Sequence, residues 1–292
     1  APPPDITAPD TLFQNPGGEV ATEDTIEAEF KFNGPTIPEP GAEILGLAFD
    51  RYYWVLKVLT DDPDPAEGDW VVEMDPYSGE VYGLQQLDRS DAQDIAWTIN
   101  PGDNPKMVMQ DGTTWVSFGD AELGVTTIVD LSGTLPDRVI PAETTKLAPG
   151  GLGGHNYPGI NDPSLISASM QTGEAGIPVY VQDAAGANNL LADFSLPGGP
   201  TAGGYTDIVL NDTTVQDSMM GMGPFTAYGS NGSQIAEFDV GTGSFLQTGL
   251  VQTGPGNPLV DIVGLAFDPN GMLYLADNAG ESDPMIYSKD MG

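Results

Sequence analysis

The chain has 292 residues with 43 acidic and 8 basic side chains, so its formal charge at pH 7 is −35. A surface of this charge repels nucleic acid and anionic membrane faces, which excludes both as partners. The chain has no cysteine, so disulfides, thiolate metal sites and cysteine catalysis are excluded as well.

The acidic residues are scattered along the chain and are not gathered in a tail. High salt shortens the reach of their mutual repulsion to about 3 Å at 1 M, so the composition suits a halophilic or marine protein. An ordinary acidic secreted protein is the alternative. No apolar run approaches the roughly 18 residues of a membrane-spanning helix, and membrane insertion is not expected.

Residues 1–23 form the first predicted element, an extended segment rich in Pro, Asp, Thr and Gly. Its start, "APPPDITAPD", has neither the basic nor the apolar region of a signal peptide and is typical of a mature chain after signal removal. We therefore expect an exported protein, extracellular or at the cell surface. The segment could dock on the rest of its own chain or on another copy through its apolar residues, which are Ile6, Leu12, Phe13 and Val20.

Residues 24–292 form the second predicted region, and its first strand is "IEAEFKFNG". Apolar and polar residues alternate over about residues 26–33, which is the period of a half-buried strand. The apolar positions on one face of this strand are Ile26, Ala28, Phe30 and Phe32.

Five apolar runs that each end in Asp and a Gly-containing turn follow along the chain. The turns lie near residues 75–79, 130–133, 183–186, 239–243 and 290–292. The Asp residues recur at separations of 55, 53, 56 and 51 residues. A Gly turn after a period-2 run predicts a hairpin, because Gly supplies the positive φ that tight turns require.

Each of these runs is the third strand of a predicted four-strand unit. In the first unit the strands are "GLAFD", "YYWVLKV", "WVVEMD" and "EVYGLQQL". A four-strand unit of about 54 residues repeated five times is typical of a β-propeller. We therefore predict an all-β protein with a single propeller of five four-stranded blades.

The last unit lacks a fourth strand after "PMIYSKDMG". The strand at residues 26–33 can supply it by pairing with the strand around Ile286, which would close the ring and remove an open sheet edge. The first and last blades would then be neighbours, which explains why "GLAFD" occurs both at Gly46 and at Gly264.

An acidic loop, "TDDPDPAEGD", lies between the second and third strands of the first unit. Its Asp61, Asp62, Asp64 and Glu67 could bind calcium through several carboxylates. Their spacing does not follow the calcium-loop pattern D-x-[DN]-x-[DN]-G. A solvated loop without a metal is the alternative that we favour.

His155 is the only histidine of the chain and lies in a Gly-rich connection. It could act as a general base, but no G-x-S-x-G elbow is present to complete a serine triad. We expect a loop residue with local hydrogen bonds. Sequons at Asn211 and Asn231 would permit N-glycosylation in an exported protein.

The stretch "VDIVGLAFDPNGMLYLADN" at residues 260–278 resembles the blades of the NHL and regucalcin/gluconolactonase group of propellers. For the lactonase-like members the resemblance implies a divalent cation on the central axis, held by Glu, Asp and Asn, and calcium suits such oxygen ligands. No other pattern requires a cofactor. The candidate ligands by position are Asp207, Asn211, Asp212, Asp261 and Asp277, with Glu43 as the nearest match to the N-terminal glutamate of such enzymes.

Three classes of function remain open. We expect first a non-enzymatic exported structural protein that self-associates through residues 1–23 into an oligomer, filament or lattice. The enzymatic alternative is a calcium-dependent lactonase-like hydrolase or a glycoside hydrolase with its site in the central funnel. The third class is a carbohydrate- or ligand-binding propeller. The lack of a compact catalytic motif favours the non-enzymatic classes.

Overall fold

The computed structural model describes the strands of the chain and some of the turns that connect them. The described ranges are 28–31, 42–64, 66–99, 112–120, 123, 125–134, 136–141, 146–150, 166–170, 178–182, 188–193, 206–210, 226–230, 232–239, 245–251, 258–278 and 284–290. Their only regular secondary structure is β-strand, and no helix in them could cross a membrane. The predicted all-β class is confirmed.

The strands of the described ranges form five antiparallel sheets of four strands each, none of which closes on itself. The first strand of the chain, β1, is Ala28–Lys31. Sheet 1 contains β2 Ile44–Asp50, β3 Val55–Thr60, β4 Trp70–Met74 and β5 Val81–Gln86. Sheet 2 contains β6 Ala92–Ile99, β7 Gly112–Asp120, β8 Val125–Asp130 and β9 Arg138–Pro141.

The other three sheets follow the same order along the chain. Sheet 3 contains β10 Lys146–Gly150, β11 Ile166–Met170, β12 Pro178–Gln182 and β13 Asn188–Asp193. Sheet 4 contains β14 Asp207–Leu210, β15 Thr226–Ser230, β16 Gln234–Asp239 and β17 Phe245–Leu250. Sheet 5 contains β18 Ile262–Phe267, β19 Met272–Asp277, β20 Met285–Asp290 and, as its fourth strand, β1.

The strand β1 pairs with the last strand of the chain, as the sequence predicts. Ala28 lies opposite Ser288 and Phe30 lies opposite Ile286 in an antiparallel register. Ile26 and Phe32, which are also predicted at this junction, lie outside the described residues. The pairing removes an open edge from β20, because the backbone groups of β20 that face outward are hydrogen-bonded to β1.

Two of the five predicted Asp-Gly turns lie within the described residues. The turns at 75–79 and 130–133 connect the third and fourth strands of sheets 1 and 2. Gly79 and Gly133 have φ angles of 70° and 67°, which is the left-handed conformation that Gly adopts without a Cβ penalty. The predicted turns at 183–186, 239–243 and 290–292 lie wholly or largely outside the described residues.

The predicted second strand "YYWVLKV" is wrong at its start, because β3 begins only at Val55. The Asp50 carboxylate accepts hydrogen bonds from the backbone N–H groups of Tyr52 and Tyr53, at 2.9 and 3.1 Å. These bonds form an Asx-type turn, which competes with strand pairing. Three aromatic residues expected in a strand therefore lie in the connection between β2 and β3.

The first strands of the five sheets contact one another in a regular order. Strand β2 contacts β6, β6 contacts β10, β10 contacts β14, β14 contacts β18, and β18 contacts β2. Glycine permits close approach between these strands. A Cβ added at Gly264 of β18 would lie 3.0 Å from the backbone nitrogen of Leu47 in β2. The repeated glycine of "GLAFD" is therefore a packing requirement.

Apolar side chains are buried between neighbouring sheets. Separate clusters join sheet 4 to sheet 5, sheet 5 to sheet 1, and sheet 1 to sheet 2. Residues typical of the three clusters are Tyr228 and Phe267, Phe49 and Tyr274, and Leu59 and Val116. The burial of these side chains between sheets fixes how sheets 4, 5, 1 and 2 lie against one another.

Candidate functional site

Exposed aromatic side chains lie together at one end of sheet 1. Strands β2 and β4 run in the same direction, so the connections 51–54 and 75–80 that follow them lie at the same end of the sheet. We call this the turn end. Tyr53 and Tyr82 are 70% and 58% exposed. The aromatic surface consists of Tyr52, Tyr53, Trp54, Tyr77 and Tyr82.

Trp54 has an unusual backbone conformation within this surface. Its φ is 58°, and it is the one non-glycine residue with positive φ in the described ranges. Gly271 occupies the matching position before the second strand of sheet 5, with φ 94°. A left-handed conformation costs a residue with a Cβ roughly 1–2 kcal/mol. Sheet 1 therefore holds a large aromatic residue where sheet 5 has glycine.

In this backbone conformation the indole ring of Trp54 contacts both the core and the connection 75–80. The ring of Trp54 packs edge-on against Phe49, with centroids 5.3 Å apart. Its Nε1–H donates a hydrogen bond to the Tyr77 hydroxyl at 3.2 Å. Tyr52 and Tyr53 pack edge-to-face with centroids 4.8 Å apart. Trp54 thus ties the two connections of the turn end to each other and to the core.

The connection 75–80 is organised by Asp75. Its Oδ1 accepts the backbone N–H of Tyr77 and of Ser78, at 2.9 and 2.7 Å, and its Oδ2 accepts the Tyr82 hydroxyl at 2.8 Å. Partial burial by itself raises the pKa of Asp75, but these hydrogen bonds outweigh it and lower the pKa below the ordinary value of 3.8. The hydrogen bond to Asp75 raises the pKa of Tyr82, so that Tyr82 remains a neutral donor.

A pH dependence follows from the lowered pKa of Asp75. Its hydrogen bonds should stabilise the fold fully above pH 3.8, and the contribution should be lost as the pH falls through the lower folded pKa. We expect the stability difference between the wild type and Asp75→Asn to be constant from about pH 5 to pH 8 and to shrink below about pH 4. Urea unfolding across this range measures it. A difference that grows on acidification would contradict the assignment.

Two buried cationic side chains, Lys57 and Arg51, lie next to or within the connection 51–54. The Lys57 ammonium lies 3.2 Å from the Asp50 carboxylate and 3.0 Å from that of Glu73. The Arg51 guanidinium lies 5.9 Å from the centroid of the Trp97 ring. Burial lowers the pKa of Arg51 to about 10, while the charge of Asp268 acts in the opposite direction. Arg51 therefore remains positively charged at neutral pH.

Tyr274 of sheet 5 lies directly beside the aromatic surface. It is fully buried and stacks on Phe49 with ring centroids 5.9 Å apart and planes 12° apart. Burial raises the pKa of its phenol, and the charges of Asp268 and Asp75 add to this effect. Its hydroxyl makes no hydrogen bond to any of the described residues. The stack joins the turn ends of sheets 1 and 5.

The acidic loop 61–69 uses its carboxylates within the protein. Asp62 accepts the Trp70 indole N–H at 3.0 Å and the backbone N–H of Asp64 at 2.9 Å. Asp69 accepts the N–H groups of Asp62 and Ala92 at 3.2 and 2.9 Å. Burial raises the pKa of Asp69. These bonds join the loop to sheet 2.

The remaining carboxylates of this loop are also engaged. Asp61 accepts the backbone N–H of Glu43 at 2.5 Å, and burial raises its pKa. Glu67 accepts a hydrogen bond from the Gln86 side chain at 3.3 Å. No three carboxylate or imidazole groups among the described residues come together to hold a metal ion. The structure therefore does not gather the predicted calcium ligands of this loop.

Two of the predicted axial metal ligands also accept hydrogen bonds from backbone N–H groups. Asp207 of β14 accepts the backbone N–H of Leu265 in β18, and Asp277 of β19 accepts that of Asp261 at 3.1 Å. Both carboxylates thus connect backbone segments. Asn211, Asp212, His155 and Asn231 lie outside the described residues, as do the predicted interface residues Ile6, Leu12, Phe13 and Val20.

Comparison with known proteins identifies no family. No family model matches the chain, and no curated protein matches it. A similar solved structure is a protein of unknown function from Bacteroides caccae, with a TM-score of 0.45 and 10% sequence identity over 87% of this chain and 80% of that one.

The aromatic surface was not foreseen from the sequence. The signal was present in "DRYYWV", which stands where the last unit has the connection "DPNGM", one residue shorter. Three aromatic residues after the Asp that begins a turn, in place of a Pro-Asn-Gly turn, indicate exposed rings. Their apolar character and β propensity favoured a strand instead.

Proposed function

We propose that the chain folds as a five-bladed β-propeller closed by β1, and that it is an exported, non-enzymatic structural protein that self-associates through the aromatic surface. The cyclic order of contacts among β2, β6, β10, β14 and β18 supports the propeller. The pairing of β1 with β20 supports the closure.

The observation that carries the proposed function is the exposed aromatic surface with Trp54 in a left-handed conformation. Tyr and Trp are enriched in the central contacts of protein interfaces. A bulky residue held at positive φ costs free energy, and such residues concentrate at functional sites. Gly271 in sheet 5 indicates that the fold itself does not require an aromatic residue at this position.

Charge determines how such an association responds to salt. Two copies of a chain with charge −35 repel each other. Screening reduces the repulsion, with a Debye length of about 10 Å at 0.1 M and about 3 Å at 1 M salt. Contacts between apolar and aromatic groups are not weakened by screening. Self-association should therefore strengthen with salt, whereas an interface held by ion pairs would weaken.

Replacement of two exposed tyrosines tests the proposal. We expect the wild type to associate at about 1 M NaCl and to be less associated at about 0.1 M. The variant Tyr53→Ala/Tyr82→Ala should remain at the monomer mass of 30.6 kDa and should unfold at nearly the wild-type temperature, because surface substitutions change stability by about 0.5 kcal/mol or less. Size-exclusion chromatography with light scattering, together with thermal unfolding, measures both.

A matched control is Leu123→Ala/Val260→Ala, which removes two exposed apolar side chains outside the aromatic surface. It should associate like the wild type. A wild type that stays monomeric at high salt and high concentration would overturn the proposed self-association. Equal loss of association in both double variants would show that general surface hydrophobicity, and not the aromatic surface, is responsible.

A neutral saccharide is a second candidate ligand for the same surface. The observation that favours it is the Asp75 carboxylate beside the exposed ring of Tyr82, since sugars combine apolar faces with hydroxyl groups. Titration of neutral oligosaccharides, followed by the intrinsic tryptophan fluorescence of the wild type and of Trp54→Gly, tests this candidate. Quenching that is lost in Trp54→Gly and in Tyr53→Ala/Tyr82→Ala would support it.

A further inference from the structure

We infer that the partner of the aromatic surface is the proline-rich segment 1–27 of a second copy, and that two copies exchange these segments reciprocally. The inference rests on the proposed function and adds the partner segment and the symmetry of the assembly. It follows from where the chain enters sheet 5 and from the composition of the segment.

The direction of β1 determines where residues 1–27 enter the fold. In sheet 5, β20 ends at Asp290, which lies opposite Met272. Met272 directly follows the connection 268–271 between β18 and β19. Strand β1 runs antiparallel to β20 and begins at Ala28, opposite Ser288. Residues 1–27 therefore enter sheet 5 at the end that carries the connection 268–271.

The aromatic surface lies at the same end. Phe49, at the end of β2, stacks on Tyr274, the third residue of β19, and contacts Trp54. The connection 51–54 in sheet 1 and the connection 268–271 in sheet 5 are thus on the same side of the protein. The donor segment and the acceptor surface share one face.

The composition of the segment fits an aromatic acceptor. Residues 1–16 contain five prolines, which are Pro2, Pro3, Pro4, Pro9 and Pro16. Proline-rich segments adopt an extended polyproline II helix at a low entropic cost and dock in grooves lined with aromatic residues. Residues 1–27 contain six acidic side chains and no Lys or Arg, so screening of charge repulsion by salt should favour an apolar and ring-stacking contact. This matches the salt dependence proposed above.

The segment is long enough to reach a facing copy. Ala28, Ser288 and Tyr274 form a row across three strands, which spans about 10 Å at the usual strand spacing. The stacked rings of Tyr274, Phe49 and Trp54 extend this path, with centroid distances of 5.9 and 5.3 Å. A polyproline II segment of 27 residues spans roughly 80 Å.

The two-fold symmetry of the proposed dimer follows from the position of the donor segment and the aromatic surface on one face of the protein. When donor and acceptor lie on the same face, two copies that meet through this face each donate a segment and each accept one. Such an isologous contact closes with two-fold symmetry and leaves no site for a third copy. The expected assembly is a dimer, which narrows the oligomer, filament or lattice expected from the sequence.

A mixing experiment with full-length chains tests this inference. The surface variant is Tyr53→Ala/Tyr82→Ala, and the donor variant is Pro3→Gly/Pro9→Gly/Phe13→Ser. Each alone should be monomeric at about 1 M NaCl, where electrostatic repulsion is screened. An equimolar mixture should form heterodimers, because the surface variant donates an intact segment to the intact surface of the donor variant. With different fluorophores on the two variants, energy transfer should appear only in the mixture.

A synthetic peptide of residues 1–20 provides an independent measurement. In excess it should convert wild-type dimers to monomers and change the tryptophan emission, and the change in emission should be absent in Trp54→Gly. A donor variant that dimerises like the wild type would overturn the inference, and the proposed function would stand if the surface variant stayed monomeric. Association of the surface variant would overturn both. Wild-type polymers larger than a dimer would overturn the reciprocal exchange.

Discussion

Deletion of residues 1–31 is expected to destabilise the protein severely. The deletion removes β1 and exposes the edge of β20, whose Ile286 is fully buried in the cluster between sheets 5 and 1. Roughly four ladder hydrogen bonds at about 1 kcal/mol each are lost, so the free energy of unfolding should fall by about 4 kcal/mol or more. Urea unfolding followed by circular dichroism measures this loss. The exposed edge should also promote aggregation.

Deletion of residues 1–20 is the matched control. It retains β1 and should leave the unfolding midpoint nearly unchanged while it abolishes dimerisation. If this shorter deletion also prevented folding, the division between a closing strand and a docking segment would be wrong. If deletion of residues 1–31 left the stability unchanged, the pairing of β1 with β20 would contribute nothing to the fold.

Replacement of Lys57 by methionine should cause the second large effect. Its ammonium is the cation beside the Asp50 carboxylate, and their side chains are 11% and 4% exposed. Removal of one partner from a buried ion pair leaves an uncompensated charge and costs about 3–5 kcal/mol. Asp50 also shapes the turn that presents Tyr52 and Tyr53. Lys57→Met should therefore weaken both stability and self-association.

Two further variants test whether the loss of stability in Lys57→Met comes from its ion pair with Asp50. Glu73→Gln removes the more exposed partner of Lys57 and should cost less than about 1 kcal/mol. Lys57→Met/Asp50→Asn removes both buried charges and keeps an acceptor for the turn, so it should recover much of the lost stability. Chemical unfolding of the wild type, Lys57→Met, Asp50→Asn and Lys57→Met/Asp50→Asn completes a double-mutant cycle. A cost below about 1 kcal/mol for Lys57→Met would refute the importance of this ion pair.

The strands were predictable because their signals are local. Alternation with period 2 and a Gly after Asp determine a strand and its turn within about ten residues, as at Asp75 and Asp130. The pairing of β1 with β20 was predictable because an incomplete final unit requires a partner strand, and only one alternating run near the N-terminus lacked a place. The order of the strands along the chain therefore predicted a pairing between residues that are far apart in the sequence.

The hydrogen-bond partners of the carboxylates could not be predicted from such local signals. Asp69 bonds the N–H of Ala92, and Asp207 bonds that of Leu265. These N–H groups are distant in the sequence, and only the packing of sheets brings them within reach. The cluster of acids in the loop 61–69 therefore left a calcium site open as an alternative, although its members bind separate backbone and side-chain groups. The aromatic surface was missed because a turn bonded to Asp50 overrides the strand propensity of Tyr and Trp.

The junction of β1 with β20 has a consequence for the order of folding. Its two strands come from opposite ends of the sequence and are separated by nearly the whole chain. A ribosome must have synthesised both strands before this sheet can assemble, so sheet 5 cannot be complete until β20 has emerged. Contacts of such long sequence separation form slowly, because loop closure must precede them.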